Sequence, residues 1–273
     1  MNDFVNHINE VKASEAFSKQ AEVFDELYGV DEIIQYKRKR VRDHILKYLH
    51  PHSSILELNC GTGEDALFFL QQGHRVHATD ISGAMLKRLV SKTENSTYAS
   101  HFSFEECSFT NLFSLRNSGP FDCIFSNFGG LNCTNELDKV LQAFSSLLKP
   151  GGTVTLVIIS RCCLWETLLI LKGKFRTAFR RFFSKKGRTA HVEGSYFNCW
   201  YYNPSYIIKH LKTNFDLLHI EGLCTLVPPS YIENFSKKFP NIFSFLRMSE
   251  NRCASKWPWK YIGDYYIISL KKR

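Results

Sequence analysis

The sequence holds no run of the ~18 apolar residues that a membrane-spanning helix needs. Its longest apolar stretch, LVIIS at 156–160 with its neighbours, is the length of a strand. The opening segment MNDFVNHINEVKASEAF has no apolar h-region of the secretory kind, so a cytoplasmic chain is expected. Cysteine is not scarce, at nine residues, but no two form a C-x-x-C pair. The ten histidines show no H-E-x-x-H or similar ligand spacing, so no metal is expected. A cytoplasmic chain keeps its thiols reduced, and the cysteines read as small buried hydrophobes. Internal repeats and low-complexity linkers are also missing. At 273 residues the chain therefore reads as one domain carrying insertions.

What is present is an ordinary globular composition, 44% apolar and 22% charged, with 23 phenylalanines. Those rings serve an aromatic core, an apolar pocket, or both. Residues 1–50 read as a helical cap, with SEAFSKQAEVFDELYG as one helix and DEIIQYKRKRVRDHILKYL as the next. From 51 to 160 strands and helices alternate: SILEL, EDALFFLQQ, HRVHATD, SGAMLKRLVSKT with Ser82 as N-cap, HFSFEEC, FDCIFSN, NELDKVLQAFSSLL and TVTLVIIS. This rhythm predicts an α/β fold with a doubly wound parallel sheet and a ligand at the strand carboxyl ends. Two insertions interrupt the later part, a helical basic one over 161–200 and an irregular one over 225–262. Between and after them FDLLHIEGLC and DYYIISLKK read as strands.

The segment ILELNCGTGED runs from a strand through a glycine turn into a helix. GTGEDA fits G-x-G-x-x-A, and Asp80 ends the next strand, which together make a weak dinucleotide fingerprint. A pyrophosphate would sit on the helix N-terminus, where Glu64 and Asp65 already stand. Each carboxylate would repel it by roughly 1 kcal/mol. Both are also good first-turn helix residues without any ligand. With Glu57 in the strand, the pattern suits a ligand with a cationic centre, an amino-acid end and a ribose that Asp80 can grip. S-adenosylmethionine has all three.

The sequence resembles the class I S-adenosylmethionine-dependent methyltransferases of the small-molecule type. The resemblance covers residues 15–160 well and the last two strands more loosely. ILELNCGTGED, VHATDIS, CSFTNLF, FDCIFSNFGGLN and LLKPGGTVTLVI carry it, in the expected order. It implies a Rossmann-like seven-stranded, mostly parallel sheet whose last strand is antiparallel, with insertions after strands 5 and 6. It also implies that Glu57, Asn59, Gly61 and Gly63 surround the methionine part of the cofactor. Asp80 would hold the ribose, with Ile81 and Met85 near the adenine, Ser108 and Phe109 at its edge, and Asn127 and Phe128 at the methyl end. Two positions depart from the pattern. Asn59 stands where the family has glycine, though asparagine tolerates left-handed backbone. Ser108 stands where an aspartate often bonds the adenine amine.

Methyl transfer is an in-line displacement that needs alignment, exclusion of water and, for an alcohol, removal of a proton. The N/D-P-P-Y/F motif of amine and amide methylation is absent after FDCIFSN, and VPPSY at 227–231 reads as a rigid loop. The expectation is methylation of a small organic molecule, at a hydroxyl or carboxylate oxygen, with an apolar or lipid-like substrate in view. Phe24, Tyr28, Asn132, Arg161, Trp165 and Tyr202 are the substrate-pocket candidates, and His191 and Tyr202 the candidate bases. From Lys172 to Arg188 eight basic residues and no acid stand among phenylalanines, within a chain of formal charge +9. A solvated lid, an interfacial helix on anionic lipid through residues 168–188, and an RNA footprint are the three readings of this run. An RNA methyltransferase, an NAD-dependent oxidoreductase and a degenerate methyltransferase-fold binding module are the alternatives for the whole chain.

Overall fold

The computed structural model describes residues 2–94, 96–184 and 186–273, with side chains from residue 8 onward. Three helices precede the sheet: α1 (Asn2–Gln20), α2 (Phe24–Gly29) and α3 (Glu32–Ile45). One continuous helix over 14–29 is expected, but the chain breaks at 21–23, where tight turns close on Ser18 and Gln20. Asp31 caps α3 by accepting from the Ile34 amide at 2.8 Å.

The alternating region forms β1 (Ser54–Leu58), α4 (Glu64–Gln71), β2 (Arg75–Asp80), α5 (Gly83–Thr93), β3 (Phe102–Glu106), β4 (Phe121–Ser126), α6 (Leu137–Leu147) and β5 (Leu148–Ile159). Beyond it lie α7 (Leu164–Thr167), α8 (Phe175–Ala178), the hairpin β6 (Arg188–Val192) and β7 (Ser195–Cys199), and α9 (Pro204–Leu211). β8 (Phe215–Leu223), α10 (Phe235–Lys238), α11 (Pro240–Cys253) and β9 (Tyr265–Lys272) complete the chain. The main sheet has the order β3-β2-β1-β4-β5-β9-β8. Its first five strands are parallel, and β9 runs antiparallel to both β5 and β8. This is the doubly wound, seven-stranded sheet the sequence leads one to expect. The strand order reverses between β1 and β4, so a crevice opens past their carboxyl ends.

Alternation along β1 divides the core. Leu56 and Leu58 join Leu137, Val140, Leu141 and Phe144 of α6 on one face. Ile55 packs with Val41, Ile45, Phe69, Leu70 and Leu89 on the other. Glu57 shares the side of Ile55 by the period of two, so it points toward α3 and α4.

The first insertion is not the helical segment the phenylalanine spacing predicts. Only Leu164–Thr167 and Phe175–Ala178 make α-helical turns, and a β-hairpin follows. The hairpin forms because Glu193 (φ 47°) and Gly194 (φ 73°) supply a two-residue turn with both residues left-handed. Arg181 ends any helix before it. Its guanidinium is drawn inward, where it pairs with Glu166 and Asp264 at 2.6 Å each and donates to the Ser160 and Asp264 carbonyls. Cys163, Glu166 and Asp264 bring ligand-type atoms within 4.8 Å of one another. The Arg181 guanidinium holds both carboxylates and Arg180 also pairs with Glu166, so the charge there is already balanced. Lys185, in the same basic run, lies outside the described residues.

The second insertion is anchored by Glu250 of α11. Its buried carboxylate accepts from the amides of Thr225, Leu226 and Val227 at 2.8 Å and of Cys224 at 3.0 Å.

Replacing Arg181 with leucine strands the buried Asp264 carboxylate and leaves Glu166 with Arg180 alone. Arg181→Leu is expected to lose about 3–5 kcal/mol of unfolding free energy, measured by urea titration. A loss under about 1 kcal/mol would show that the network does not hold the insertion.

Candidate active site

β1 ends in a turn in which Asn59 (φ 47°), Gly61 (φ 56°) and Gly63 (φ 81°) all take left-handed backbone. Asn59 adopts it and also ties two strand ends together. Its Oδ1 accepts from the Ser126 hydroxyl at 2.6 Å, and its Nδ2 donates to the Asn127 carbonyl at 3.1 Å. At Gly63 a Cβ would stand 2.0 Å from Leu89, so α5 packs there only against glycine.

A cavity opens over this turn, walled by α1, α2, α3 and the carboxyl ends of β1, β2 and β4. Its lining is rich in acids: Glu10, Glu57, Glu64, Asp65 and Asp80. Three are already engaged. Glu64 pairs with Lys92 at 3.0 Å and Arg38 at 3.5 Å. Asp65 accepts from Arg42 Nε and Asn127 Nδ2, each at 2.7 Å. Asp80 accepts the amides of Gly61 at 2.9 Å and Ser82 at 2.8 Å, which aims its carboxylate across the turn. Burial nonetheless raises the Asp80 pKa.

Glu57 is different. It is 2% exposed, lines the cavity, and its Oε2 is buried with no hydrogen-bond partner. Burial, reinforced by the Asp65 charge, pushes its carboxyl well above the usual range. A buried acid in this state is satisfied by a cationic donor from outside the chain.

The cap is latched over the turn. Asp25 of α2 accepts from the Thr62 hydroxyl at 2.6 Å and pairs with Lys92 at 2.5 Å. Burial would raise the Asp25 pKa, but Lys92 and Thr62 hold it below the ordinary value.

The "Methyltransferase domain" family profile matches residues 55–152. A malonyl-(acyl-carrier protein) O-methyltransferase of Buchnera aphidicola is 31% identical over 272 residues, which covers 97% of this chain and 96% of that protein. The chain belongs to the S-adenosylmethionine-dependent methyltransferases. A second protein of the same description, from Hamiltonella defensa, is 26% identical, and the match spans 56% of this chain and only 54% of that relative. In fold, the methyltransferase is similar to a 1,6-didemethyltoxoflavin-N1-methyltransferase of Burkholderia thailandensis solved with S-adenosylhomocysteine. That likeness has a TM-score of 0.55 at 15% identity and covers 97% of this chain and 89% of that one. S-adenosylmethionine is the methyl donor of the family, and the cavity suits it. An orphaned buried carboxylate faces a ligand that carries an ammonium and a sulfonium, beside a turn whose glycines admit close backbone approach.

Of the expected cofactor residues, Glu57, Asn59, Gly61, Asp80, Ile81, Met85, Phe109, Asn127 and Phe128 line this cavity. Gly63 stands just behind, at the start of α4. Ser108 is not part of the wall. Its hydroxyl is spent on Glu10 and on the Thr110 amide. Of the substrate candidates, Phe24 lines the cavity. Tyr28 stacks on Phe24 at 4.5 Å, with its hydroxyl directed to Gln20.

The remaining candidates lie elsewhere. Asn132 is fully buried and spends its amide on the Trp200 carbonyl and on both backbone groups of Ile159, so it braces β5 and β7 and has no atom left for a substrate. Arg161 donates to the Phe182 carbonyl at 2.8 Å, and Trp165 packs edge-on against Phe235. Tyr202 is buried with its hydroxyl on the Thr134 carbonyl, and burial raises its pKa, which is the wrong direction for a base. His191 is exposed on the hairpin against Tyr196. Neither candidate base reaches the cavity.

Sequence reasoning missed Glu10, Ala13, Ser14 and Phe17 of α1, and Arg38 of α3. The spacing of three and four along α1 was the available signal, since it puts those residues on one helix face.

The raised Glu57 carboxyl has a stability consequence in the unliganded protein. A carboxyl that binds its proton more tightly when folded loses stability as pH rises from the ordinary carboxylate value through its folded value. Glu57→Gln removes that loss. Above this window the variant is expected to melt about 2–4 °C higher than the wild type and to show a flatter pH dependence by calorimetry. A lower melting point at every pH would mean that Glu57 is ionised and satisfied.

Proposed function

We propose that the methyltransferase O-methylates the carboxylate of a small, acyl-type substrate, with S-adenosylmethionine in the cavity over β1. The observation that carries the proposal is the make-up of the wall: among the described lining residues there is no histidine, lysine or tyrosine. Glu10, Glu64, Asp65 and Asp80 are held by hydrogen bonds or ion pairs within the chain, and Glu57 would be taken by the cofactor ammonium. The wall's two thiols, Cys60 and Cys133, are buried with raised pKa values. An alcohol needs a group to take its proton, whereas a carboxylate arrives ionised. The relative matching over 97% of the chain bears the description of a malonyl-(acyl-carrier protein) O-methyltransferase, which agrees with this reading.

When bound, the cofactor would supply an electrophilic methyl on a sulfonium. On this reading Glu57 would hold the cofactor ammonium. Arg38, the one cation among the described lining residues, would face its carboxylate. Asp80 would take the ribose hydroxyls, with Ile81, Met85 and Phe109 around the adenine. Asn127 and Phe128 would close the methyl end. Phe128 holds left-handed backbone (φ 46°) with Lys37 at 5.4 Å and Arg38 at 5.5 Å from its ring, so the ring is fixed from two sides. The chain's contribution is alignment and exclusion of water rather than base catalysis.

With radiolabelled methyl donor and a panel of malonyl-loaded carrier protein, free dicarboxylic and fatty acids, and alcohols, label is expected in a base-labile methyl ester. Label found only in base-stable ethers or amines would overturn the proposal.

The first insertion supports a peripheral membrane contact. Leu168, Leu171, Phe175, Phe179 and Phe183 are exposed among exposed Lys172, Lys174, Arg176 and Lys186, a mix suited to anionic lipid. The protein is expected to sediment with phosphatidylserine vesicles and to be released by raised salt. Equal recovery with neutral vesicles, or none with either, would end this part of the reading.

A further inference from the structure

Besides Glu57, one other acid in the cavity wall has an oxygen without a partner. Glu10 of α1 is 2% exposed and lines the cavity. Its Oε2 accepts from the Ser108 hydroxyl and from the Thr110 hydroxyl at 3.0 Å, and the Thr134 hydroxyl also acts on the carboxyl. Its Oε1 is buried and has no hydrogen-bond partner. Ser108 and Thr110 flank Phe109, a wall residue, and α1 docks on the start of α5 through Ser18 and Ser82 at 2.7 Å. Glu10 therefore stands at the Phe109 end of the cavity.

We infer that Glu10 accepts a hydrogen bond from the exocyclic amine of the cofactor's adenine and selects adenine over a 6-oxo purine. The inference rests on the placement of S-adenosylmethionine in this cavity. Glu57 meets the amino-acid end and Asp80 the sugar, so the purine edge is the remaining donor, and Glu10 Oε1 is the remaining acceptor. A 6-oxo purine would bring a carbonyl oxygen to that carboxyl instead of an amine. Ser108 acts as a positioning residue. Its oxygen accepts the Thr110 amide at 3.1 Å, which leaves its hydrogen for Glu10 Oε2 and leaves Oε1 as the carboxyl's free acceptor.

The test is calorimetric binding of S-adenosylhomocysteine and of its inosine counterpart to the full-length wild type, Glu10→Gln and Asp80→Ala, with thermal unfolding as the folding control. The wild type is expected to prefer the adenosine compound by tenfold or more. In Glu10→Gln the amide oxygen takes the place held by Ser108 and Thr110, and the NH2 faces the cavity. Adenosine binding should then weaken about tenfold and the preference shift to the inosine compound. A folded Glu10→Gln with wild-type affinity and preference, or a wild type with no preference, overturns the inference. If Asp80→Ala has meanwhile lost binding, the cofactor placement survives that result. Undiminished binding by Asp80→Ala, or no binding by the wild type, refutes the placement itself and the role of Glu10 with it.

Discussion

Glu57 shares a face of β1 with Ile55, so the strand that builds the core also carries an acid into it. No hydrogen bond within the chain reaches Glu57 Oε2. The cost of an unpartnered buried carboxyl, about 1–3 kcal/mol, is tolerated because the surrounding structure is overdetermined. The glycine turn, the Asn59 bridge between β1 and β4, and the Asp65–Asn127 bond hold the strand ends in place around it. A site organised in this way is already shaped and charged for a cationic ligand before that ligand arrives.

The neighbouring acids work differently from one another. Glu64 and Asp65 would repel a pyrophosphate if they were bare, and that argument from sign led to the methyl donor. In the folded chain both are matched by Arg38, Arg42 and Lys92. Their main service is structural: Lys92 joins Glu64 to Asp25, and Asp25 holds Thr62, so the cap helices close over the turn they cover. The selectivity for positive charge falls to Glu57, whose Oε2 has no hydrogen-bond partner in the chain.

The insertions answer to a different constraint. A long cationic segment cannot pack against a domain unless some of its charge is neutralised. Glu166 takes Arg180 and Arg181, and Asp264 completes the set. What remains outside is the apolar and lysine-rich surface of 168–186, while Glu250 ties the second insertion to the end of β8.

Much of the fold was legible in the sequence because its signals are local. Alternating hydrophobicity, the Ser82 cap and the glycine turn depend on neighbours a few residues apart, and so does the tolerance of Asn59 for left-handed backbone. The order of the five motifs placed Glu57, Asp80, Asn127 and Phe128 at one crevice, because strand carboxyl ends converge wherever a parallel sheet reverses its order. The rest required the tertiary structure. The Glu193–Gly194 turn made a hairpin out of an expected helix once Arg181 was pulled into the core. Asn132, Tyr202 and His191 are plausible site residues by type, but burial or exposure set by distant segments removed them. Glu10 and Arg38 entered from helices that the motifs do not include. A side chain's type and spacing decide what it can do. Which groups face it across the fold, 67 residues away for Ser126 and Asn59, is decided only when the chain has packed.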